Sequence, residues 1–236
     1  MLHVGLQEAF LLLMVDILCN SIRIVRFGNV PVPSNTYLLI DTARKHCMVL
    51  DPGSKKQTNV LNYMQTHDLV LDYIILTHEH FDHCWGVNSL LESFPAKVVA
   101  TRLCAEWVQT PFNYFNQLYY NSDEMYKIEH VDILVEDIGC RMMWNELSVG
   151  YIKTPGHTDK SMCVEIGGCL FTGDTVLFRT KPFLKKRYGA SKEDLKKSIN
   201  YIYQAYSANT KIYPGHGEPF LLKDTEKFYR QYFINM

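Results

Sequence analysis

The chain has no CxxC pair and no small-domain disulfide spacing. Its seven cysteines, at 19, 47, 84, 104, 140, 163 and 169, are odd in number and read as buried thiols in a reducing, cytoplasmic setting. There is no excess of one charge: 24 Lys and Arg stand against 25 Asp and Glu, which offers no field for a nucleic-acid backbone. There is no run of apolar residues long enough to span a bilayer; Ala9 to Val15 is short and is bounded by Glu8 and Asp16. No Lys or Arg precedes Arg23, where a secretory leader would carry a positive first region. No Gly/Ser-rich or Pro-rich linker interrupts residues 22–236, so the simplest division is one domain over 22–236 behind an N-terminal extension over 1–21, read as a docking helix or as the result of an early start codon.

What remains is core material. Over 236 residues, 47% are hydrophobic and 13% aromatic, the composition of a folded globular chain. Short apolar runs rich in Val, Ile, Leu and Tyr predict strands at 22–27, 36–41, 47–50, 72–77, 97–101, 131–136, 147–153, 162–166 and 169–172. Three-to-four spacing of apolar residues predicts helices at 55–66, 86–94, 102–109, 191–206 and 223–232. Ser191 is the expected N-cap of the fourth, with Leu195, Ile199 and Ile202 as its apolar stripe. The class is α/β.

The strand ending at Thr77 runs directly into His78-Glu79-His80-Phe81-Asp82-His83, which sets four metal-ligand side chains within six residues. In α/β sheets the loop beyond a strand's C-terminal end is where ligands bind. His78 and His80, two apart on an extended exit, can converge on one ion, and Asp82 and His83 at the next turn can reach a second. Zinc takes three or four such donors, so others must come from elsewhere. Thr154-Pro155-Gly156-His157, Thr172-Gly173-Asp174 and Tyr213-Pro214-Gly215-His216 supply them, each as an apolar strand, a glycine and a donor. Glu79 and Phe81 read as loop filler and packing, and Cys84 as packing. Asp51, before Pro52 and Gly53, either orients a histidine or simply forms a turn.

HxHxDH followed by PGHT, GDT and PGHG resembles the metallo-β-lactamase superfamily, in the branch of hydroxyacylglutathione hydrolase (glyoxalase II) and its small bacterial relatives. The likeness covers residue 22 onward and includes Asn35-Thr36-Tyr37 and Asp51-Pro52-Gly53. It implies a four-layer αββα sandwich of two mixed sheets flanked by helices. It also implies two divalent metals per chain, zinc first, with iron or manganese as substitutes. His78, His80 and His157 would hold one metal, Asp82, His83 and His216 the other, and Asp174 would bridge them. A water shared by two metals roughly 3.5–4 Å apart is a hydroxide near pH 7. The implied reaction is hydrolysis of an anionic small-molecule thioester or related ester by that bridging hydroxide, with Asp82 and Asp174 as the catalytic carboxylates. No nucleic acid and no membrane enter this reading.

Lys185, Lys186 and Arg187 follow Asp174 where the glyoxalase II enzymes place contacts to their thiol, and are expected to grip an anionic substrate unless they form a solvated basic loop. The aromatic stretch 110–126 reads either as a lid whose Tyr114, Phe115, Tyr119 and Tyr120 line an acyl pocket or as ordinary helix packing. With about 20 residues after His216, no C-terminal helical domain of the longer glyoxalase II type is expected. The competing function is a mononuclear iron oxidoreductase of the persulfide dioxygenase type, with iron on His78, His157 and Asp174. A third class, a non-catalytic binding module, is opposed by the full ligand set.

Overall fold

All seven residues of the segment Asn35–Asp41 are buried, as a strand requires when both faces of its sheet are covered. Its side chains alternate: Tyr37 and Leu39 join one apolar core, Leu38 and Ile40 another. The computed structural model describes residues 12–17, 22–136 and 139–234. Its first sheet runs in the order β1 (Leu12–Ile17), β2 (Ile22–Gly28), β3 (Asn35–Asp41), β4 (His46–Leu50), β5 (Val70–Ile75), β6 (Lys97–Thr101) and β7 (Ile133–Val135). The pairs from β1 to β4 are antiparallel and those from β4 to β7 parallel. Parallel neighbours need crossovers. These are α1 (Thr58–Thr66), then α2 (Phe81–Cys84) with α3 (Val87–Leu91), then α4 (Arg102–Val108) with α5 (Tyr114–Tyr120).

The second sheet contains β8 (Cys140–Trp144), β9 (Leu147–Lys153), β10 (Met162–Ile166), β11 (Cys169–Gly173), β12 (Lys211–Pro214) and β13 (Phe220–Leu221), in the order β13-β12-β11-β10-β9-β8. Only its β11–β12 pair is parallel, and α6 (Lys192–Ala205) makes that crossover. After β13 comes α7 (Lys223–Ile234). Three cores define the layers. Ile24, Leu39 and Ile75 meet Tyr151, Val164 and Phe171 between the sheets. Val49, Ile74 and Val98 pack under Val60, Met64, Leu90 and Cys104. Leu170 and Ile212 pack under Leu195, Ile199, Ile202 and Tyr229. This is the αββα sandwich of two mixed sheets flanked by helices.

The helix over 192–205 starts where expected, with the Ser191 hydroxyl accepting from the Asp194 amide at 3.2 Å. Residues 12–17 depart from expectation: instead of a docking helix they form edge strand β1, paired from Leu12 opposite Phe27 to Ile17 opposite Arg23, which covers an edge that β2 would otherwise leave open. Residues 1–11 and 18–21 of the expected extension lie outside the described residues. The six described cysteines are free thiols; five are buried, but Cys140 on β8 is exposed. No helix among the described residues is long and apolar enough to cross a membrane.

Candidate metal centre

Parallel pairing of β4 with β5 and of β11 with β12 brings the C-terminal ends of these strands to one edge of the sandwich. Asp51 leaves β4 with φ +52°, a left-handed turn that short polar side chains tolerate. Its carboxylate reaches across to the exit of β5. Oδ1 accepts from the Thr77 amide at 2.7 Å, and Oδ2 accepts from the Thr77 hydroxyl at 2.6 Å and from His83 Nδ1 at 2.9 Å. Because the Thr77 hydroxyl hydrogen goes to Asp51, its oxygen is left to accept from His78 Nδ1 at 3.0 Å. One buried carboxylate thus orients His83 directly and His78 through a hydroxyl, so turn formation and histidine orientation coincide at Asp51. After His80 the chain turns into α2, which swings Asp82 and His83 round to the same edge.

The seven expected donors converge in two groups. His78, His80, His157 and Asp174 offer atoms within 4.8 Å of one another, and so do Asp82, His83 and His216. His80 Nδ1 and His157 Nε2 are 3.1 Å apart, and His83 Nε2 and His216 Nε2 are 3.4 Å apart. Asp174 lies between the groups: Oδ2 is 3.6 Å from His157 Nε2 and 3.4 Å from His216 Nε2, and Oδ1 is 3.7 Å from His83 Nε2. His216 donates from Nδ1 to the Pro33 carbonyl at 2.9 Å, which turns its Nε2 towards the carboxylates. The His216 turn is tied to β3 by the Asn35 side chain, donating to Pro214 and Gly217 carbonyls at 2.9 and 2.8 Å, and by the Tyr37 hydroxyl on Pro214 at 2.7 Å.

The electrostatics suit cation binding. Burial disfavours charge on His78, His80 and His157, and neighbouring imidazoles add to it; His80 falls to about 3, and the other two fall below their usual value. Burial opposes charge on His83 too, but Asp82, Asp174 and Asp51 outweigh it and raise its pKa to about 9. His216, against the same burial effect, is raised to about 11 by Asp174 and Asp82. Asp174 is held well below the carboxylate range because His83 and His216 overcome its burial. In the first group neutral imidazoles stand beside an ionised carboxylate, the protonation state that metal ligation demands, whereas in the second group a cation would have to displace the protons that the carboxylates hold on His83 and His216. His78 Nε2 and Asp174 Oδ1 are buried with no hydrogen-bond partner among the described residues, a costly arrangement unless another group meets them. The donor set fits two divalent cations.

A family model described as the metallo-beta-lactamase superfamily matches residues 29–216. The chain belongs to this superfamily. Among curated superfamily members, a hydroxyacylglutathione hydrolase of Aeromonas salmonicida is 33% identical over 147 residues, covering 62% of this chain and 49% of that protein. The "Probable polyketide biosynthesis zinc-dependent hydrolase BaeB" of Bacillus velezensis is 29% identical over 182 residues, covering 76% of this chain and 71% of that one. The match spans about half the length of the first of these relatives. Two superfamily structures share the fold. The BLEG-1 B3 metallo-beta-lactamase has a TM-score of 0.74 at 20% identity, covering 86% of this chain and 95% of that one. ETHE1 from Myxococcus xanthus has a TM-score of 0.71 at 22% identity, covering 87% and 82%.

Beside the donors, a cavity of about 400 Å³ opens at His80 and is walled by aromatic rings of α4, α5 and the turn 186–188. Of the basic trio only Arg187 lines it; Lys185, extended just before the 3₁₀ turn Lys186–Tyr188, lies over the Phe183 ring at 5.0 Å. Of the aromatic stretch, Tyr114 and Phe115 line it. Tyr119 instead stacks beside Phe81 with centroids 5.6 Å apart, and Tyr120 packs on Trp85 at 5.3 Å. Glu79, expected to be filler, is buried: Oε2 accepts from the Thr158 hydroxyl at 2.9 Å, Oε1 lies 3.7 Å from Lys160 Nζ, and burial raises its pKa to about 6. It fastens the first histidine loop to the loop of His157. Trp107 and Tyr188 also line the cavity and carry no motif that would single them out.

Proposed function

We propose that this protein is a dinuclear metal-dependent hydrolase acting on a thioester or related ester of a small anionic molecule. The observation that carries the reading is Asp174, which lies between the donor groups: its Oδ2 is 3.6 Å from His157 of one and 3.4 Å from His216 of the other, and its Oδ1 is 3.7 Å from His83. His78, His80 and His157 would hold one metal, Asp82, His83 and His216 the second, and Asp174 both. Bound divalent metals, zinc first, supply Lewis acidity at the carbonyl oxygen and lower the pKa of a water towards about 7. The protein's own part is orientation and proton handling. Asp51, Thr77 and the Pro33 carbonyl take the Nδ1 protons of His83, His78 and His216, which leaves each Nε2 free to ligate. In this reading Asp82 and Asp174 take a proton from the attacking water and pass it to the leaving sulfur. The water oxygen joins the acyl carbon, the C–S bond breaks, and a carboxylate and a thiol leave. Arg187 at the cavity rim meets the anionic part of the substrate, while Lys185 and Lys186 act only through the general field.

Kinship to the Aeromonas hydroxyacylglutathione hydrolase and to the zinc-dependent BaeB supports hydrolysis and zinc. In this reading residues 22–236 work as one catalytic unit in the cytoplasm, where the free cysteines stay reduced. The test is a count of Zn, Fe and Mn per chain in protein expressed without metal supplementation, followed by a thioester panel. About two metals and thioester turnover are expected. About one iron per chain, with oxygen consumed on a persulfide, would replace the reading with the oxidoreductase on His78, His157 and Asp174.

A further inference from the structure

The cavity beside His80 is built for something other than a small polar acyl group. Six rings, those of Phe81, Trp107, Phe112, Tyr114, Phe115 and Tyr188, form most of its wall. They are arranged face and edge: Phe81 stacks on Phe115 with centroids 3.7 Å apart, Phe112 meets Phe115 edge-on at 6.0 Å, and Tyr188 meets both His80 at 4.5 Å and Trp107 at 5.7 Å. At about 30 Å³ per water-sized group, its roughly 400 Å³ holds about a dozen non-hydrogen atoms. A lactoyl or acetyl group would leave most of it filled with water against aromatic faces.

The wall also has a cationic exit. Arg187 lies over the Tyr188 ring at 4.7 Å and donates to the Tyr188 hydroxyl at 2.8 Å, with no carboxylate partner among the described residues. Lys160, buried against Trp107 at 4.8 Å and engaged by Asp159 at 2.5 Å, does not line the cavity. The polar, charged thiol half of a thioester has few partners among six rings and suits the open basic side at 185–187. The acyl half, which starts at the reacting carbon beside His80, is the part that enters.

We propose that the substrate's acyl group carries an aromatic ring, of one or two fused rings, seated among Phe81, Trp107, Phe115 and Tyr188, with the anionic thiol half running out past Arg187. This rests on the thioester reading above and narrows its substrate class. Ring-on-ring contacts of this kind add to the burial of apolar area.

The experiment uses metal-replete protein and four thioesters of one thiol, glutathione: acetyl, lactoyl, phenylacetyl and 2-naphthylacetyl. Beside it, 2-naphthylacetamide and acetamide, which are neutral and not thioesters, are titrated while Trp fluorescence and ligand-observed NMR are recorded. The expected result is a kcat/KM at least about tenfold higher for 2-naphthylacetyl than for acetyl. Quenching by 2-naphthylacetamide but not acetamide is expected too, with the quench lost in Trp107→Phe. Tyr114→Ala, at a position 55% exposed and so tolerant of truncation, should shrink the naphthylacetyl-to-acetyl ratio. Thioester turnover with no preference for the ring overturns the inference and leaves the hydrolase reading standing. No turnover of any thioester, with the quench intact, overturns the hydrolase reading and leaves the ring seat standing. Neither quench nor ring signal in NMR overturns the inference whatever the kinetics.

Discussion

Replacing Asp51 with Asn tests how much one side chain outside the donor set contributes to the centre. Asn keeps the size and tolerates the φ of +52°, so the backbone is not strained. The carboxylate takes three donors: the Thr77 amide, the Thr77 hydroxyl and His83 Nδ1. Either orientation of an amide sets its NH₂ against at least one of them, and in the unflipped orientation against two. At about 1.5–3 kcal/mol for each hydrogen bond to a charged group, the loss is roughly 1.5–6 kcal/mol. A chain of this size shifts by about 2–4 °C per kcal/mol, so Tm should fall by roughly 3–24 °C. His83 loses its orienting partner directly and His78 loses it through Thr77, so affinity at both donor groups should fall by about 10–100-fold. Thermal melts by circular dichroism measure the first effect and competition with a chromogenic chelator the second. An Asp51→Asn protein with unchanged Tm and unchanged metal affinity would refute the orienting role.

Asp174→Asn should cut thioester turnover by roughly 10²–10³-fold and remove about one metal per chain, measured by steady-state kinetics and elemental analysis. Gly215→Ala should cost much of the same activity although it replaces no donor, because its Cβ would lie 2.3 Å from Asp174 Oδ1 and 2.6 Å from His83 Cε1 and displace both; wild-type metal content and rate would refute the close packing. Chelator should lower Tm and added zinc restore it, by an amount corresponding to about 4 kcal/mol at a thousandfold excess over Kd; a Tm indifferent to chelator would count against the centre. Asp41 is opposed by its own burial, yet Arg44, Asn145 and two backbone amides hold its pKa below the ordinary value. A depressed folded pKa gives stability that is full above the unfolded value near 4 and is lost as pH falls through the folded one. The Tm gap between wild type and Asp41→Asn should therefore be constant above about pH 5 and close towards pH 2; a gap independent of pH would refute the linkage.

The donors were readable from the sequence because each follows an apolar strand through a short loop, and parallel pairing brings those strand ends together. The buried strands were readable because runs such as 98–100 and 162–164 put apolar residues on both faces in succession. β8 was missed because its exposed face pairs a charged Arg141 with an apolar Met143, so the sequence shows no polar-apolar period although burial alternates from Arg141 to Trp144. β13, at two residues, carries no period, and four-residue α2 is hidden under the ligands it displays. The cavity was half legible. Tyr114 and Phe115 stood out as part of an aromatic stretch, but Trp107 lies on another helix and Tyr188 in a later turn, so only tertiary packing unites them. Glu79 was misread because its partner Thr158 is 79 residues away.

The donor groups are contributed by both sheets, His78 to His83 by the first and His157, Asp174 and His216 by the second, with His83 and His216 separated by 133 residues. Such a pair meets only after the two layers have docked, late on any route from the unfolded chain. A cation held there would stabilise the native state more than the transition state for folding, so it should leave the refolding rate nearly unchanged and act on the rate of opening. Loaded with metal, the sandwich would gain its persistence as a slower escape from the folded state, visible in stopped-flow traces as a lowered unfolding arm beside an unmoved refolding arm.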